Sequence, residues 1–146
     1  MTKRTALFGL AALVGGGVAS HFLGSRPEAA YGDGPLRPCP NVPNCALVRV
    51  PLAAGVERAE RAAFAAVRSD LGWWLGRLAS VEKAPDGLRA EFAVGPFRDR
   101  LAVAVEAEGD GSVLWIRSAS TVGRSDLGVN RQRARRVAEA VRAEVG

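Results

Sequence analysis

Histidine is almost missing from this chain of 146 residues: one occurs, His21, inside an apolar N-terminal stretch. Lysine is nearly as scarce, with only Lys3 and Lys83 against eighteen arginines. Both shortages remove chemistry. A serine nucleophile has no histidine base outside the leader, and a Ser–Lys pair would rest on Lys83 alone, on an unrelated hairpin. Gly123-Arg124-Ser125-Asp126-Leu127-Gly128 looks like a nucleophile elbow, but its second glycine comes one position late. With two cysteines and that one histidine, a zinc site lacks ligands. There is no glycine-rich phosphate loop, so no cofactor is expected.

Acidic residues are short only near the C-terminus. There Arg117, Arg124, Arg131, Arg133, Arg135, Arg136 and Arg142 face Asp126, Glu139 and Glu144 alone. The formal charge is +5. Elsewhere the acids are interspersed, and an arginine bias also follows from GC-rich coding, so no nucleic-acid partner is expected. The basic stretch suits phosphates, lipid headgroups or a partner's carboxylates, or is simply a solvated helix face.

Charge is absent from Thr5 to Leu23, behind Lys3 and Arg4. As a helix this run is about 28 Å long, one hydrocarbon thickness. Two readings fit residues 1–25. One is a signal peptide, with an Ala6–Val14 centre and a Val18-Ala19-Ser20 exit. The other is a membrane anchor, weakened by Gly15, Gly16 and Gly17. Lys3 and Arg4 favour an N-in orientation, although Arg26 and Arg37 oppose it. Either way the rest is expected at the cell membrane or in the periplasm. Residues 26–35 read as a linker and 36–146 as one globular domain. In an oxidising compartment Cys39 and Cys45 suggest a disulfide closing a proline-stiffened loop, contributing roughly 2 kcal/mol. The five intervening residues do not fit a thioredoxin-like motif.

Periodicity supplies the elements. Leu47–Val50 reads as a strand and Val56–Leu71 as a helix, with Gly72 past its end. Trp73–Glu82, Leu88–Val94, Leu101–Ala107 and Val113–Arg117 read as strands joined by Pro85-Asp86-Gly87 and Gly109-Asp110-Gly111 turns. Asn130 reads as the N-cap of a last helix with an apolar stripe through Ala134, Val137, Ala138, Val141 and Val145. The expected fold is a two-layer α+β domain: a curved antiparallel sheet of about five strands with two helices on one face, in the order strand, helix, four strands, helix. Of Trp73, Trp74 and Trp115, at least two are expected in the core.

Candidate ligand-binding residues gather between the last strand and the last helix: Arg117, Ser118, Ser120, Arg124, Ser125, Asp126, Asn130 and Arg131. Asp99, in a presumed loop, joins them if it faces that way. Hydroxyls, N–H groups and arginines at a helix N-terminus make an anion site. Alternatively the loop satisfies itself, with Asp126 accepting backbone N–H bonds and pairing with an arginine. The second reading is preferred.

Leu36-Arg37-Pro38-Cys39-Pro40-Asn41-Val42-Pro43-Asn44-Cys45, with Arg117-Ser118-Ala119-Ser120 and Gly123–Arg131, resembles the family catalogued as domain of unknown function 1499. The resemblance spans Leu36 to the C-terminus and implies a bacterial or plastid protein with a leader or membrane segment. It implies no reaction. The chain departs from the family where Thr121 replaces a usual arginine and Asp99-Arg100 a usual pair of aspartates. Two functions follow. The preferred one is a non-enzymatic envelope domain, held at the membrane by its N-terminal segment, that binds an envelope protein, a lipid headgroup or a small anion. The other is an enzyme using Asp99 and Asp126 as acid and base, with Arg117 or Arg124 on an anionic substrate.

Overall fold

The computed structural model describes residues 34–146; the leader at 1–25 and most of the linker lie outside the described residues. Strand β1 (Cys45–Leu52) leads to helix α1 (Val56–Arg68), then β2 (Arg77–Ala84), β3 (Gly87–Val94), β4 (Phe97–Glu108), β5 (Gly111–Ser120) and helix α2 (Val129–Val145). All pairings are antiparallel, in the sheet order β1-β5-β4-β3-β2. This is the expected α+β arrangement. Three tight hairpins build β2–β5, and β1 closes the sheet against β5.

Strand alternation divides the sheet into two faces. Val50, Leu88, Ala90, Phe92, Leu101, Val103, Leu114 and Ile116 point toward the helices. The helices answer with Ala59, Ala63 and Val67 from α1 and with Ala134, Val137, Ala138 and Val141 from α2. Alanines on α1 let that helix approach closely. On the opposite face, Leu36 packs over Ala104, Val113 and Trp115, so the segment before β1 shields part of that face. A Cβ on Gly34 would stand 2.8 Å from the Trp115 ring, so only glycine lets the chain pass so close.

Four details depart from the sequence reading. Helix α1 stops at Arg68 rather than Leu71, because Ser69 is extended and its hydroxyl and N–H both donate to Ala66 O. Trp73–Leu75 is a 3-10 turn, not the start of a strand. Gly72 (φ 109°) and Gly76 (φ 91°) bracket it in conformations that L side chains avoid, so β2 begins only at Arg77. Trp73 and Trp74 are consequently exposed, and of the three tryptophans only Trp115 is buried. Finally, Gly128 rather than Asn130 is the N-cap of α2.

Candidate functional site

The candidate residues lie at one end of the sheet, where β5 finishes and α2 begins. Asp126 organises the junction. Its carboxylate accepts the Gly128 N–H (2.8 Å) and the Asn130 N–H (2.8 Å), covering donors that the start of a helix leaves unpaired. The helix N-terminus is therefore occupied by the chain's own anion. Asn130 sits in the first turn of α2, fully buried, and its side chain donates to Asp126 Oδ2 (2.6 Å), Ser120 Oγ (2.9 Å) and Asn44 O (3.1 Å). Its Oδ1 accepts from Ser118 Oγ (2.6 Å) and from Arg133 (2.9 Å).

In the sequence Arg133 is one of a run of arginines that read as a solvated or anion-binding face; it is 0% exposed. As the next-turn neighbour of Asn130 it points into the protein, where all five guanidinium hydrogens find acceptors. Two go to Leu75 O, one each to Ser118 Oγ and Asn130 Oδ1, and one to Asp99 Oδ2 at 2.8 Å. Phe92 stacks 4.6 Å from the guanidinium carbon. Burial pushes the Arg133 pKa down, while the Asp99 hydrogen bond and the charges of Asp99 and Asp126 oppose that shift. Asp99 is not in a loop; it lies in β4, opposite Ser120, and is 2% exposed. The arginine of this network, Arg133, is salt-bridged to Asp99.

Alternation separates the remaining candidates. Ser118 and Ser120 face the helices, whereas Arg117 projects from the other face of the sheet and lines a groove there. Arg124, Ser125 and Arg131 are exposed around the loop, away from the buried network. Thr121, standing where the resemblance implies an arginine, is exposed and its hydroxyl donates to Arg98 O. The network therefore assembles Asp99, Ser118, Ser120, Asp126 and Asn130, and adds Arg133 and Asn44. Asn44 ties in the first motif: its amide donates to Gly123 O (2.7 Å) and its carbonyl accepts from Ser120 N (3.0 Å). Cys45 follows it directly and forms a disulfide with Cys39.

So the two sequence motifs, seventy-odd residues apart, meet in one hydrogen-bonded cluster. A family model described as "Protein of unknown function (DUF1499)" matches residues 35–141. The chain belongs to the DUF1499 family. Its motif residues Asn44, Ser118, Ser120, Asp126 and Asn130 interlock β1, β5 and α2. No curated protein matches the chain.

Around this locked centre the surface is unusual. Leu127 is 97% exposed and has φ 55°, in the left-handed region that few leucines enter. Trp73 is 91% exposed, and Trp74, Phe97 and Val122 are also exposed. They share one end of the domain. Thr121 N donates to Arg98 O, bringing the loop beside the β3–β4 hairpin, and Arg133 binds Leu75 O, drawing the tryptophan turn to α2. Arg77, Arg98, Arg124 and Arg131 stand exposed among them. The acids nearby are already engaged: Asp70 by Gly72 N, Asp99 by Arg133, and Asp126 by the helix.

Proposed function

We propose that the DUF1499 domain of this chain is a non-enzymatic, extracytoplasmic binding module that docks its Trp73–Leu127 end onto an anionic lipid surface. The observation that carries this reading is Leu127, held in a strained conformation with its side chain almost wholly in water. Strain of that kind, unrelieved by burial, marks a residue kept for contact. Its setting is a rim of tryptophan, phenylalanine and arginine, the composition that sits at a membrane–water interface. The carboxylates argue against the enzymatic alternative. Asp99 is sealed against Arg133, and Asp126 caps its helix.

The uncharged run Thr5–Leu23 supports the same reading, as an anchor or export signal. A ten-residue linker reaches at most about 35 Å, so an anchored domain would stay close to the bilayer it docks on. Among the described residues no helix is long and apolar enough to cross a membrane.

Flotation of residues 34–146 with vesicles tests the proposal. Binding is expected with phosphatidylglycerol vesicles, weak with phosphatidylcholine alone, and lowered by salt. Each arginine near an anionic surface contributes about 1 kcal/mol. Arg124→Ala with Arg131→Ala should therefore reduce partitioning by about tenfold or more, as should Leu127→Glu. Equal binding to both vesicle types, or indifference to Leu127→Glu, would defeat it.

A further inference from the structure

The open face of the sheet carries a second feature, independent of the docking end. Leu36 covers β1, β5 and the adjoining part of β4. Beside that cover lies a groove of about 470 Å³, with Arg37 on one wall and residues of β2–β5 beneath and opposite. Cross-strand register sets its chemistry. Glu82, Arg89, Ala102 and Arg117 form one row across four strands, and Ser80, Glu91 and Arg100 form the next. Ala102, between Arg89 and Arg117, has no side chain beyond its Cβ, so the floor is low where two guanidinium groups flank it.

Four arginines (Arg37, Arg89, Arg100 and Arg117) and two glutamates (Glu82 and Glu91) line the groove, a formal charge of +2. Arg89 pairs with Asp86, and Arg100 lies 3.5 Å from Glu91. Both pairs are solvent-exposed, so they hold the arginines only weakly and a better oxyanion displaces them. Guanidinium forks match phosphate oxygens in a way that lysines cannot. A phosphate monoester carries nearly two negative charges at neutral pH, which balances the groove. Glu82, Glu91 and Ser80 then remain as acceptors for ligand hydroxyls.

We propose that this groove binds a small phosphate monoester bearing free hydroxyls, of the polyol- or sugar-phosphate class. The ligand lies along the Ala102 floor with its phosphate toward Arg89, Arg100 and Arg117, and Arg37 closes over it from the covering segment.

Glycerol 3-phosphate is the probe. It is titrated at fixed ionic strength into the whole chain in neutral detergent and followed by calorimetry. Saturable binding is expected, tighter than that of inorganic phosphate, with no response to glycerol. Arg89→Ala and Arg100→Ala should each weaken it by about tenfold, the loss of one good charge-assisted contact. Ala102→Leu keeps every charge but fills the floor, and should weaken it as much. Leu127→Glu and Arg124→Ala with Arg131→Ala, which are expected to weaken vesicle docking at the other surface, should leave it unchanged, so the two proposals fail separately. Absence of saturable binding would overturn the assignment. So would affinity equal to that of inorganic phosphate, or affinity indifferent to Ala102→Leu.

Discussion

Arg133 concentrates the energetics of the buried cluster. A guanidinium taken out of water loses several kcal/mol of hydration, which only a nearly complete set of partners offsets. Here the set is complete: five donors, a carboxylate and an aromatic face. Removing Asp99 alone would strand that charge. Asp99→Leu is expected to cost about 3–5 kcal/mol in urea unfolding, while Asp99→Leu with Arg133→Met should cost clearly less than the sum of the single variants. A loss below about 1 kcal/mol for Asp99→Leu would show the pair to be dispensable. Because burial lowers the Arg133 pKa, its linkage to stability runs upward with pH, and only in strongly alkaline solution. Across the ordinary range the guanidinium stays charged. None of this was legible locally. In the sequence Arg133 is one of several arginines on a helix, and its partner Asp99 is 34 positions away. Asp126 was legible, because a side chain that caps its own helix acts within four residues.

The junction between β5 and α2 shows what an element costs to aim. Asp126 fixes the Asp126–Asn130 turn, and that turn forces Leu127 into the left-handed region. The two residues should therefore behave oppositely. Asp126→Ala leaves the Gly128 and Asn130 backbone N–H groups without their acceptor, and should lower stability by about 1–3 kcal/mol. Leu127→Gly removes a left-handed penalty of about 1–2 kcal/mol and gives part of it back in chain entropy. It should leave the domain as stable or stabilise it by up to about 1 kcal/mol, while vesicle partitioning falls. Thermal melts and flotation of the same proteins check both halves. Stability lost on Leu127→Gly would mean that Leu127 serves the fold rather than contact. Elements whose signals are local were readable from the start: the hairpins through their Gly and Asp turns, and the helices through their periodicity. The tryptophan turn was not. Trp73-Trp74 has strand composition, and only the paired positive-φ glycines around it, set by packing against α2, override that preference.

At the scale of the whole molecule, charge and cover are both distributed by end and by face. Asp86, Glu106, Glu108 and Asp110 gather near the β2–β3 and β4–β5 turns, where Arg89 and Arg49 pair with Asp86 and Glu108, while Arg77, Arg98, Arg124 and Arg131 stand exposed at the other end. The open face is finished by chain that belongs to no strand or helix. Leu36 shields Trp115, Ala104 and Val113, the disulfide pins the segment to β1, and Asn44 ties it to α2. Every described strand and helix is complete within residues 34–146, and so are both described apolar clusters. A chain beginning at residue 34 is therefore expected to fold with both cysteines bonded. A chain beginning at residue 41 keeps every described strand and helix but uncovers Trp115 and loses the disulfide. Losing a bond that closes so short a loop costs roughly 2 kcal/mol, and uncovering a leucine-sized contact costs about 1.5–3 kcal/mol more. Tryptophan fluorescence should shift to the red as Trp115 meets water, and urea unfolding should move to lower concentration by the sum of those losses. Reduction of the longer chain separates the two contributions, since it removes the bond and leaves Leu36 in place. Equal stability of the two chains would show that the covering segment is not part of the folded unit, and the wall that Arg37 gives the groove would go with it.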